Sequence, residues 1–94
     1  MNSEQEGNVA SRSIKRIAAD PRLSVLGASI EDTGGGNMAV AIPMPDFGEC
    51  LVTYDEYAGW IIGLYDEEGM AGDVFRAGDP TEAARMAARL VQAA

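Results

Sequence analysis

Apolar residues in this 94-residue chain follow a helical period at both ends and a period of two between them. Near the start, Ala10, Ile14, Ile17 and Ala18 recur at i, i+4, i+7 and i+8, with Arg12, Lys15 and Arg16 on the other side. That stripe predicts a short amphipathic helix over 10–19. Asn8 and Ser11 are its candidate N-caps, and residues 1–8 read as a flexible polar leader. Asp20-Pro21 ends the pattern, because the residue before proline is pushed out of the α region.

From Leu23 the period changes to two. Leu26, Ala28 and Ile30 alternate with Val25, Gly27 and Ser29, which predicts a strand over 23–31 with a bulge at Gly27. After the connection Asp32 to Asn37, Met38, Val40, Ile42 and Met44 alternate with Ala39, Ala41 and Pro43, giving a second strand with one large face and one small. Pro43 points to an edge or a strand end. Pro45-Asp46-Phe47-Gly48 has the residues of a tight turn and leads into a third strand, Glu49 to Tyr54. Asp55 to Gly59 reverses the chain into Trp60 to Tyr65, the most apolar run and the predicted central strand. Asp66-Glu67-Glu68-Gly69 is a hairpin turn with glycine where φ > 0 is needed, and a weaker fifth strand follows over 70–75.

The last helix carries its own start signal. Asp79 is the N-cap, Pro80 stands at N1 where its missing N–H costs nothing, and Glu82 stands at N3. Ala83, Met86, Ala87, Leu90 and Val91 form its apolar stripe. The order helix, meander, helix predicts one α+β domain over 1–94: a two-layer fold in which an antiparallel sheet of four or five strands carries the N-terminal and C-terminal helices on one face. The expected core is Ile14, Ile17, Leu26, Ile30, Val40, Ile42, Val52, Ile62, Leu64, Met86 and Leu90.

Composition narrows the class. At 47% hydrophobic residues the chain is too apolar for intrinsic disorder, and its apolar runs fall far short of the ~20 residues of a membrane helix. The opening residues lack the basic and apolar regions of a secretory signal, so the cytoplasm is the expected compartment. A single cysteine and no histidine leave no internal disulfide and none of the usual zinc or Cys/His chemistry; Cys50 reads as a small strand residue. Six Arg against one Lys, with abundant Ala and Gly, suggests a GC-rich bacterial or phage genome.

Charge changes the picture most. Between Arg22 and Arg76 lie 53 residues with ten carboxylates and no Lys, Arg or His, while all seven basic residues stand outside that stretch. Patterned charge concerns partners more than fold. Direct nucleic-acid contact needs the opposite sign and is not expected.

Other motifs dissolve on inspection. Gly34-Gly35-Gly36 lacks the following Lys and helix of a phosphate loop and reads as a hairpin connection. Asp46-Phe47-Gly48 stands alone, without the further motifs of a kinase. The run Asp66 to Asp73 gathers four carboxylates but breaks the ligand spacing of a calcium loop, so neither metal nor cofactor is expected. With no histidine and little room for a cleft, catalysis is not expected.

The expectation is therefore a non-enzymatic acidic module that docks on a basic surface of a larger protein, with Asp55, Glu56, Asp66, Glu67 and Glu68 as the partner-binding residues. Toward a nucleic-acid-binding partner it would act as a nucleic-acid mimic; small phage inhibitors such as anti-CRISPR proteins share this size and charge, a likeness of composition alone. An exposed pair among Tyr54, Tyr57 and Tyr65 would mark the binding surface. A homo-oligomeric accessory protein, pairing through an edge strand or the alanine-rich helix, is the second reading. A small metal-binding protein or enzyme built on the Asp66 to Asp73 turn is the third.

Overall fold

The computed structural model describes residues 2–34, 37–44, 48–70, 72 and 74–93. Helix α1 (Asn2–Ala19) is followed by a single turn, α2 (Pro21–Ser24). Strands β1 (Ser29–Gly34), β2 (Asn37–Pro43), β3 (Glu49–Asp55), β4 (Gly59–Asp66), β5 (Gly69–Met70) and β6 (Phe75–Ala77) come next, and α3 (Pro80–Ala93) closes the order. β1 to β5 form an antiparallel meander in sequence order, and β6 pairs with the other end of β4 from the same side as β5. The domain is the expected two-layer α+β fold. None of the described helices is long and apolar enough to cross a membrane.

Register fixes which residues share a face, since paired residues project the same way and neighbours alternate. The pairs Val40↔Val52, Ile42↔Cys50, Val52↔Ile62 and Trp60↔Ala77 put one apolar row toward the helices. There they join Ile14, Ile17, Leu23, Ala83, Ala84, Ala87, Ala88 and Val91 in a single core. α3 presents its alanines, so its backbone approaches the sheet closely, and Met86 and Leu90 flank the contact half-buried. Asp79 Oδ1 accepts a 2.8 Å hydrogen bond from the Glu82 N–H, the expected N-cap.

The second segment differs most from expectation. In place of a strand from residue 23, Asp20 leaves the helical region (φ −58°, ψ 129°) and its carboxylate accepts from the Arg22 N–H, restarting a helical turn behind Pro21. Leu23 is thereby carried fully into the core. The turn closes through Gly27 at φ +88°, so that glycine is a turn residue and not a bulge, and β1 begins only at Ser29. A cap and a proline at N1 outweigh a short alternation.

Smaller differences follow the same logic. α1 starts at Asn2, so the segment expected as a leader is helical and Asn8 and Ser11 lie inside the helix. β1 and β2 run on to Gly34 and Asn37, shortening the expected connection. Pro43 is the last residue of β2, a strand end being one of its two expected places, while the fifth strand is divided into β5 and β6. Of the expected core, Ile30 is 40% exposed because β1 lies at the sheet edge, and Leu26, Leu64, Met86 and Leu90 are half-buried. The turn at Pro45 to Phe47 lies outside the described residues.

Candidate functional site

The two acidic reversals are built by their own first residues. At the β3–β4 reversal Asp55 Oδ1 accepts from the Tyr57 N–H (2.7 Å) and the Ala58 N–H (2.9 Å), and Gly59, at φ +80°, completes the turn. Those two hydrogen bonds, Ala58's first, together with the charge of Arg76, hold the Asp55 carboxyl below the usual aspartate range. At the β4–β5 reversal Asp66 Oδ1 accepts from the Glu68 N–H (2.8 Å), and Gly69 takes φ +119°. Asp55 and Asp66 therefore serve the turns themselves, while Glu56, Glu67 and Glu68 stand exposed at the tips.

The structure does not bring the two clusters together. Asp55 pairs with Gly59 and Asp66 with Gly69, at opposite ends of the eight-residue β4, roughly 23 Å apart at 3.3 Å per residue. The clusters also differ in their neighbours. Beside the first, Tyr57 is 92% and Tyr54 is 48% exposed, and the Tyr54 ring lies 5.0 Å from the buried Trp60 ring, tilted by 55°. Tyr54 thus rests on a fixed platform with its outer part in water. Beside the second, Tyr65 is half-buried and lies over Gly63, where an added Cβ would come within 3.0 Å of the ring.

The sheet face turned away from the helices, which Asp55 shares and Tyr54 does not, carries a further surface. The pairs Leu51↔Gly63, Thr53↔Ile61 and Glu49↔Tyr65 set Leu51, Thr53, Ile61 and Tyr65 there, all half-buried. Ala39 and Ala41 fill the space between them and β1, buried yet outside the helix-facing core. Glu31 and Glu49 flank this apolar centre, and Glu49's carboxyl is pushed above the usual range by burial and, second, by the charge of Glu31. Sequence reasoning left out Glu31, Glu49, Leu51 and Ile61. The alternation Glu49, Leu51, Thr53, Asp55 could have placed two of them, Glu49 and Leu51, on one face with the predicted site residue Asp55.

Folding turns the linear charge pattern into layers. Among the described residues, Glu31, Asp32, Glu49, Asp55, Glu56, Asp66, Glu67 and Glu68 belong to the sheet and its turns, against one cation, Arg76. The other six basic residues are exposed on α1, α2 and α3. A groove of about 370 Å³ between α1 and α3 belongs to this mixed-charge side, with Arg16 and Arg85 beside Asp20, Asp79 and Glu82. None of the predicted site residues lines it.

Among the described residues, metal and thiol chemistry find no arrangement. No described group of three or more His, Cys, Asp or Glu residues is placed to hold a metal ion, and Asp73 lies outside the described residues. Cys50 is enclosed in the core, where burial pushes its thiol up to about 11. It is protonated at neutral pH and shielded from attack. No protein-family model, curated protein or solved structure matches this chain.

Proposed function

We propose that this chain is a non-enzymatic protein-binding module whose acidic sheet layer docks on a basic surface of a larger partner, with the β3–β4 reversal as the centre of the contact. The observation that carries the reading is the exposure of Tyr57 on the turn that Asp55 and Glu56 build, with Tyr54, which pairs with Trp60 and so projects to the opposite face from Asp55, also exposed at the same end of the sheet. A tyrosine offers large contact area at low entropic cost, and aromatic residues ringed by charge are the usual anchors of protein interfaces. The carboxylates steer the approach and select the sign of the partner. Because the β4–β5 cluster stands at the far end of β4, it serves as a rim contact or meets a separate part of the partner.

Where the partner's basic surface is one that holds nucleic acid, the sheet layer occupies the place of phosphate and the outcome is inhibition. The alanine face of α3 is buried inside the domain, which weighs against helix pairing as a route to a homo-oligomer. The test is affinity capture from the native host with parent protein and with a Glu56→Lys, Tyr57→Ser variant, both substitutions lying at an exposed turn. The reading expects a basic partner retained by the parent and lost by the variant. Capture of the same partners in the same amounts by both would refute it.

A further inference from the structure

The two edges of the sheet are finished differently. On one side β4 is covered by two fragments, β5 with two residues and β6 with three, too short to template another chain. On the other side β1 is the terminal strand, and among the described residues it pairs with β2 alone. Its register runs unbroken from Ser29 to Asp32 and shifts before Gly34, and all four residues of the regular stretch are exposed. In an antiparallel strand every second residue turns both its N–H and its C=O away from its neighbour. Within Ser29 to Glu31, alternate residues therefore turn both backbone groups toward the open edge.

We propose that the β1 edge takes up an extended segment of a partner protein by strand addition, a segment in which Lys or Arg alternates with apolar residues. The backbone edge supplies the ladder, and the side chains beside it choose the sequence. Ile30 pairs with Val40 on the helix-facing side and is 40% exposed, so an added strand covers it with an apolar residue. Glu31 projects to the opposite face, where Glu49 is also placed and where its charge already raises Glu49's pKa. A Lys or Arg beside Glu31 relieves that repulsion, whereas a second copy of β1 would bring further carboxylates to the same edge. Charge thus disfavours self-pairing and favours a basic strand. The inference rests on the proposed basic partner and adds a second contact, at an edge separate from the β3–β4 reversal.

The probe is a short synthetic peptide alternating lysine and valine, titrated into the full chain and followed by amide chemical shifts and hydrogen exchange. Shifts centred on Ser29 to Asp32 and slower exchange of the β1 amides are expected. The same peptide N-methylated at every backbone amide should bind at least about tenfold more weakly, and Glu31→Lys should weaken binding by about five- to tenfold. Equal binding of the N-methylated peptide overturns strand addition and leaves a contact of charge alone. Shifts confined to residues 54–58 overturn the edge site while leaving the proposed docking surface standing. Failure of the peptide to bind, or a dimer by light scattering whose β1 amides are already protected from exchange without the peptide, overturns the edge site as well; the docking reading is decided separately, by the Glu56→Lys, Tyr57→Ser capture.

Discussion

Ile62→Ala against Ile61→Ala tests the assignment of the two sheet faces. Ile62 is fully enclosed at the centre of β4, paired with Val52 on one side and Phe75 on the other. Ile61, its neighbour, projects to the open face and is half-buried. Truncating Ile62 removes three carbons at about 0.8 kcal/mol each, and the cavity left between sheet and helices raises the loss to about 3–4 kcal/mol. Truncating Ile61 forfeits less burial and leaves no enclosed void, so about 1 kcal/mol is expected. A domain of this size holds roughly 5–14 kcal/mol in total, and each kcal/mol moves the melting temperature by about 4–8 °C. The Ile62 variant should therefore melt at least about 12 °C below the parent. Urea unfolding followed by the fluorescence of the single tryptophan, the buried Trp60, reads both variants. A loss under about 1 kcal/mol at Ile62, or a larger loss at Ile61 than at Ile62, would show that the faces are reversed.

Asp79→Ala removes the acceptor of the Glu82 N–H and should cost about 1 kcal/mol in the same assay. Because Glu49's folded pKa is raised, the stability linked to its protonation is complete below the ordinary glutamate range and is lost as pH rises through the folded value. Glu49→Gln should accordingly be more stable than the parent near neutral pH and indistinguishable from it at about pH 3. Asp55 has the opposite sign: its folded pKa is lowered, so its contribution is present above the ordinary aspartate range and is lost as pH falls through the folded value. Asp55→Ala should therefore destabilise near neutral pH, with the difference from the parent closing in strong acid. Cys50 should resist iodoacetamide in the native protein and react promptly in urea, since both its burial and its raised pKa withhold the thiolate.

Periodicity carried most of the fold. The strands from Asn37 to Asp66 and the cap at Asp79 follow from alternation, turn residues and capping chemistry that act within a few positions. The segment after Ala19 was not legible in the same way, because its outcome depends on a local competition. The Asp20 side-chain cap, with Pro21 behind it, restarts a helical turn, and the alternation around Leu26 extends into a strand only from Ser29. Ile30 was placed in the core by its period, yet period says nothing about whether a strand is central or at an edge. The acidic turns were legible as turns. Their separation at the two ends of β4 follows from the meander, and alternation alone could have set Glu49 on the face of Asp55, but the exposure of Tyr57 and the place of Glu31 on that same face emerge only once the strand register is known.

The central claim is that the acidic surface makes the contact, and one measurement addresses it directly. Glu56 is reversed to Lys in one variant and Glu67 with Glu68 in another, leaving the turn-forming Asp55 and Asp66 intact, and affinity for the captured partner is measured at two salt concentrations. Screening acts over about 10 Å at 0.1 M salt, so a contact steered by these carboxylates weakens as salt rises. The account predicts that the Glu56 variant binds more weakly than the parent with a flatter salt dependence, and that the Glu67, Glu68 variant is affected less. Parent-like affinity and an unchanged salt slope in both variants would contradict it and leave the acidic stretch as a solubility device.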